Sequence, residues 1–268
     1  MQGRLVPPEP GRFQAFPRSR WLDEIALARQ VPLSYIEWIY DLYGADVNPV
    51  VKDPLQLRAM ADDAGVGIYA LCADYFMDLP FLRCSEAERA EREEALAQLL
   101  LLAQKAGIER VVLPFVDASA IHTSDDYSMV VRVLQDALPI AQAAAMELHL
   151  ETSLPPAEFA DLLAQIPSPL VKVNYDSGNS ASLGFKPSEE FAAYGDRVGS
   201  VHIKDRTRGS GTVPLGTGDA DLPQVFRELE RIGYTGDITL QVARSEPGQE
   251  LEWARYNREF VGRYWKLE

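Results

Sequence analysis

The feature that most limits how this chain can fold is an alternation running its whole length: short apolar runs separated by longer amphipathic stretches. The runs are SYIEWIY, VGIYALC, RVVLPFV, MELHLET, LVKVNYD, GSVHIKD and DITLQVA. Between them lie helical patterns such as DPLQLRAMADDAG, SEAERAEREEALAQLLLLAQKAG and DLPQVFRELERIG, and QELEWARYNREFVGRYWKL closes the chain. Repeated βα units demand parallel strands joined by crossover helices. Seven runs, an eighth if MQGRL is counted, and eight helical patterns predict an α/β fold, a (β/α)8 TIM barrel. A doubly wound open sheet ranks lower, because no Gly-rich dinucleotide turn follows the first strand. Gly65, Gly107 and Gly233 stand where helices hand over to strands. No Gly/Ser linker or low-complexity tract interrupts residues 1–268, which reads as a single domain. MQGRL is very short for a strand, so strand one is expected to be stunted or to begin upstream of Met1.

Composition narrows the function. Apolar residues make up 47% of the chain, enough for a large core, and the formal charge is −14. A nucleic-acid ligand needs a basic footprint that releases counterions, so this balance predicts no nucleic-acid partner and argues against an anionic membrane surface. Two cysteines, Cys72 and Cys84, suggest neither a disulfide framework nor a zinc ligand set. With no long apolar span and no signal-peptide profile, the expectation is a cytoplasmic protein without membrane contact.

In such a barrel the chemistry sits at the C-terminal ends of the strands. Those ends carry Glu37, Asp74, Asp117, Glu151, Asp176, His202 and Gln241. Alternation puts Leu148, Leu150, Val201 and Ile203 toward the helices, and His149, Glu151, Lys172, Asn174, Asp176, His202 and Lys204 inward. Any one strand-end acid is as often a helix cap as a ligand. His149 alone reads as a satisfied core histidine, and Lys172 and Asn174 as a buried polar network. Glu151, Asp176, His202 and Gln241, however, fall at one height on four successive strands. Such an Asp/Glu/His donor set with an amide oxygen suits one divalent cation: Mn2+, Mg2+, Co2+ or Zn2+.

LETS around Glu151, NYDSGNS around Asp176, VHIKD around His202 and the late LQVAR resemble the metal set of the xylose isomerase-like sugar phosphate isomerase/epimerase superfamily. MQGRL, IEWIYD and VPLGTGDAD extend the resemblance over nearly the whole chain. It implies a metal-dependent isomerase that transfers a proton next to the carbonyl of a sugar or sugar phosphate through an enediolate, with Glu151 as base. Related ketose 3-epimerases carry a second Glu on the last strand. Gln241 stands there in this chain, and an amide does not exchange a proton at neutral pH. That departure favours one-base chemistry over two-carboxylate epimerisation, unless Lys204 substitutes as an acid.

Around this set, Glu37, Asn179, Asp205 and Arg206 read as a polar substrate wall. Arg206, Arg208 and the glycines of RTRGSGTVPLG could hold a phosphate, or form an ordinary exposed loop. Arg4 and Arg244, past the ends of neighbouring strands, could clamp an anion or neutralise the acidic mouth. DYFMDLPF could cover the site, join subunits into a homo-oligomer or pack a helix. Two rival activities use the same residues: a metal-dependent dehydratase of a keto-sugar or inosose, and a silent sugar-binding barrel. The endonuclease branch of the superfamily needs a histidine-rich trinuclear zinc site, and this chain has three histidines in all.

Overall fold

The structure is a computed structural model that describes residues 1–266. Helix α1 (Trp21–Ala28) precedes strand β1 (Tyr35–Ile39), and α2 (Pro49–Lys52) and α3 (Pro54–Ala64) lead to β2 (Gly67–Cys72). Then come α4 (Tyr75–Asp78), α5 (Glu86–Lys105), β3 (Arg110–Phe115), α6 (Ser124–Ala143), β4 (Glu147–Thr152) and α7 (Pro156–Ala164). Strand β5 (Val171–Asp176) runs into α8 (Ser177–Leu183) and α9 (Pro187–Tyr194), followed by β6 (Val198–Ile203). A two-stranded hairpin, β7 (Asp205–Arg206) and β8 (Thr212–Val213), precedes α10 (Leu222–Arg231), β9 (Ile238–Leu240) and α11 (Glu250–Val261). None of the described helices is long and apolar enough to cross a membrane.

Seven strands pair in parallel in the order β1-β2-β3-β4-β5-β6-β9. The order follows the chain and never reverses, whereas a doubly wound sheet must reverse at its switch point. The fold is the TIM barrel, and the N-terminal residues close its seam. MQGRL contributes a single parallel bridge, Gln2 to Glu37, instead of a full strand. Glu37 N–H donates to the Met1 carbonyl at 2.9 Å, and Gln2 N–H donates to the Leu240 carbonyl at 3.1 Å. Several elements lie outside the sequence expectation, among them the short helices α2 and α4. SGNSASL forms α8, and the Gly/Arg loop is pinned by the β7–β8 hairpin.

Leu148, Leu150, Val171, Val173, Val201 and Ile203 are buried in the apolar layer between strands and helices. Opposite parity turns polar residues into the barrel. Asn174 pairs across with Ser200 and Asp176 with His202, while His149 pairs with Lys172 one level lower. A bulge sets this phase: Val198 and Ser200 pair with Val173 and Asn174, leaving Gly199 as the extra residue. A Cβ on Gly199 would lie 2.5 Å from Lys172 Cδ and 2.7 Å from His149 Cε1, so only glycine lets these side chains pass.

Glu24 of α1 fastens the N-terminal segment, accepting from Leu5 N–H at 3.2 Å and Val6 N–H at 3.3 Å. Burial raises its carboxyl from 4.5 to about 7. A carboxyl whose folded value is raised stabilises the fold below its unfolded value. That contribution is lost as pH climbs through the folded value, here between about 4.5 and 7. Urea midpoints of wild type and Glu24→Gln at pH 5 and pH 8 should show a smaller alkaline loss in the variant.

Candidate active site at the barrel mouth

Asp176 ends β5 and caps α8, and its two oxygens do different things. Oδ1 accepts from Gly178 N–H at 2.9 Å and Asn179 N–H at 2.8 Å, satisfying the start of the helix. Oδ2 makes no hydrogen bond and faces Lys204 Nζ at 2.9 Å. The Lys204 stem reaches it across Gly178, where a Cβ would come within 2.6 Å of Lys204 Cγ. The acid is thus a helix cap through one oxygen and an ion-pair partner of Lys204 through the other.

His202 faces Asp176 across the β5–β6 pair. Its Nδ1 lies 3.5 Å from Glu151 Oε2 and 3.7 Å from Asp176 Oδ2, while Nε2 lies 2.8 Å from Glu37 Oε1. The last contact is close but poorly angled, so Glu37 and His202 Nε2 have no satisfied hydrogen bond there. Glu37 is fully buried behind the imidazole, which places it on the ring and away from a substrate wall. Glu151, on the end of β4, is held at both oxygens. Asn174 Nδ2 donates to Oε2 at 2.7 Å, and Asn179 Nδ2 donates to Oε1. The Asn179 carbonyl accepts from Arg206 at 2.7 Å, which fixes the amide's direction.

The charges respond to one another. Burial, reinforced by Asp176, raises the Glu151 carboxyl from 4.5 to about 7. Burial works against an ionised Asp176 too, yet the Lys204 ammonium and His202 hold it well below the ordinary carboxylate range. Against desolvation, Glu37 and Asp176 raise the His202 imidazole to about 10. Ligand atoms of Glu151, Asp176 and His202 lie within 4.8 Å of one another, a group that could hold a metal ion. The unsatisfied Asp176 Oδ2 and the N/O donor set fit a hard or borderline divalent cation.

Gln241 lies one residue beyond β9, still on the ladder through its N–H to the Ile203 carbonyl at 3.1 Å. Its Nε2 donates to Gln2 Oε1 at 2.7 Å, leaving its own Oε1 a buried acceptor without a partner. Arg4 approaches the same Gln2 and also donates to Gln14 Oε1 at 3.0 Å. Gln14 in turn donates to Asp74 Oδ2 at 2.6 Å. Gln2 and Gln14 were not among the sequence candidates; Gln2 lies in MQGRL, whose strand character is too slight to assign faces.

Other candidates are committed elsewhere. Arg244 donates to the carbonyls of Phe13 and Val6, each at 3.0 Å, and so straps down the N-terminal segment. Asp205 is fully buried, and its carboxylate accepts from Gly216, Gly218 and Ala220 N–H groups. Asp205 therefore organises the loop and is not exposed to a substrate, and these loop N–H groups are not free for a phosphate. Arg208 N–H is likewise taken by Asp219. Asp117 is exposed in a 3-10 turn. In DYFMDLPF, Phe76 and Phe81 are buried and stacked at 4.6 Å, which makes that part of the stretch a packing element.

Comparison with known proteins identifies the family of the fold. The profile of the xylose isomerase-like TIM barrel family matches residues 25–263, and the chain belongs to that family. It is 27% identical over 213 residues to the 2-epi-5-epi-valiolone 7-phosphate 2-epimerase of Actinoplanes sp., covering 75% of this chain and 76% of that one. Among solved structures, an L-ribulose 3-epimerase superposes with a TM-score of 0.78 at 19% identity, covering 98% and 92% of the two chains. The IOLI protein, solved with a zinc atom, superposes with a TM-score of 0.77 at 18% identity, covering 91% and 94%. Such homologues support a sugar isomerase/epimerase activity; they lend nothing to the lyase alternative.

Removing the Asp205 carboxylate strands three loop N–H groups. In Asp205→Ala, hydrogen exchange at Gly216, Gly218 and Ala220 should accelerate at least about tenfold, since each lost bond to a charged acceptor is worth about 1.5–3 kcal/mol. Unchanged protection would show that the loop is held by other contacts.

Proposed function

We propose that this chain, acting as one domain, is a divalent-cation-dependent isomerase of a sugar or sugar phosphate, with Glu151 as its proton-transfer base. The observation that carries this reading is Glu151 itself. It is a buried carboxylate with both oxygens oriented by amides, beside Asp176 and His202. A carboxylate so placed can take a proton from a carbon beside a carbonyl and return it. Glu151, Asp176 and His202 would hold the cation, with the free Gln241 oxygen as fourth donor or as acceptor for a substrate hydroxyl. When bound, the cation would polarise the carbonyl and offset the charge left as the neighbouring proton departs. The zinc in the IOLI protein, a structural neighbour, supports a metal in this barrel type.

The chain's own residues divide the remaining work. Glu151 takes the proton from the carbon beside the carbonyl, and Asn179, steadied by Arg206, keeps the carboxylate turned to the mouth. Glu37 supports the far side of His202. Lys204 neutralises Asp176 and is the nearest ammonium able to give a proton to a substrate oxygen. Gln241 accepts a hydrogen bond and transfers no proton, so Glu151 performs proton removal and return on one face of the substrate.

Protein purified without chelators should contain one divalent cation per chain, and Asp176→Ala and His202→Ala should lose it. Equal trace metal in all three would reduce the site to a polar network. Glu151→Gln should lower turnover by about 10²–10⁴ while keeping the cation. Solvent deuterium should enter one face of the carbon next to the carbonyl. Gln241→Glu should raise exchange on the other face; exchange on both faces in wild type would contradict the one-base reading.

A further inference from the structure

Beneath the candidate site lies a chain of buried polar contacts that the proton transfer does not itself use. His149 Nε2 meets Glu147 Oε2 at 2.9 Å, and His149 Nδ1 meets Ser200 Oγ at 2.6 Å. Ser200 Oγ donates to Asn174 Oδ1 at 2.6 Å, and Asn174 Nδ2 donates to Glu151 Oε2 at 2.7 Å. The same Asn174 nitrogen lies 3.1 Å from His202 Nδ1. His149, Asn174 and Ser200 are each 2% exposed or less, so bulk water does not reach them.

An amide has two unlike ends, and what it presents upward depends on what it meets below. The Glu151 carboxylate can only accept, so Oδ1 of Asn174 is left to accept from the Ser200 hydroxyl and its NH2 end faces the mouth. There it stands against two of the three candidate cation donors, Glu151 and His202, which approach to 3.5 Å. Turned over, the amide would set its carbonyl oxygen against the Glu151 carboxylate, a repulsive pair in a dry interior. A neutral His202, the form that ligates a metal, has one Nδ1 lone pair, which would leave this amide for the cation, so the contact that persists is the one to Glu151.

We propose that Ser200 and Asn174 are positioning residues that preorganise a cation donor: the Ser200 hydroxyl supports the direction of the Asn174 amide, whose NH2 group holds Glu151 in the arrangement the cation uses. This rests on reading Glu151, Asp176 and His202 as the cation donors. The bulge at Gly199 is part of the device, because it brings Ser200 opposite Asn174 and leaves room for His149 beneath. Outer partners of metal ligands commonly contribute about 10–100-fold in metal affinity.

The test is calorimetric titration of chelator-stripped protein with Mn2+, with thermal unfolding to confirm that each variant is folded. Ser200→Ala should bind Mn2+ about tenfold or more weakly than wild type, and Ser200→Thr, which keeps the donor, should bind like wild type. Asn174→Leu should lose as much, and the double variant should lose no more than Asn174→Leu alone, because the serine acts through the amide. Wild-type affinity in Ser200→Ala, equal losses in Ser200→Thr and Ser200→Ala, or additive losses in the double variant would each overturn the inference. Wild-type protein that takes up no Mn2+ would instead remove the cation reading, and this inference with it.

Discussion

Three carboxylates, Glu37, Glu151 and Asp176, are gathered around the single imidazole of His202, and none of the four residues is more than 6% exposed. Removing such groups from water costs several kcal/mol each, and a cluster with more acids than bases is tolerated only with fixed partners. Much of the local structure supplies those partners. Lys204 stands against one Asp176 oxygen while the start of α8 occupies the other. Two amides take the two Glu151 oxygens, and Glu37 backs the imidazole. The parallel register that sets Asp176 opposite His202 makes the cluster possible at all.

The parts of this arrangement legible in the sequence are those governed by strand parity. Glu151, Asp176 and His202 could be placed because alternation around apolar neighbours such as Leu150 and Val201 decides which side chains enter the barrel. What alternation leaves undecided is the choice of atom. It cannot tell that Asp176 divides its oxygens between a helix and the mouth, or that Glu37 turns to His202. Asp205 belongs to a two-residue strand, too short for any periodicity, and its three backbone acceptor bonds are visible only in three dimensions. Gln2 escaped for a related reason, since its amide partner is 239 positions away.

Gln241 gives the mouth an asymmetry of charge. Glu151, Asp176 and His202 occupy β4, β5 and β6, whereas the seam between β9 and β1 is lined by Gln241, Gln2 and Arg4. A glutamate at 241 would place an acid against Gln2 Oε1, and that amide would have to turn its unpartnered Nε2 toward the newcomer. Doing so would withdraw the oxygen that Arg4 approaches at 3.3 Å. The neutral seam is therefore a set of mutually adjusted residues, and changing one alters the hydrogen-bonding sense of the others.

The seam also has a place in time. During synthesis Met1 can meet Glu37 early, but Gln2 lacks its other backbone partner until Leu240 has been made. Loop closure over so long an interval is entropically slow, and local βα units form ahead of it. The wall carrying Gln241 cannot close before Leu240 has been made, whereas the segments carrying Glu151, Asp176 and His202 are already present by then. Until that wall closes β1 carries an incompletely paired edge, the kind of surface that invites a neighbouring strand, and the closing of the ring covers that edge.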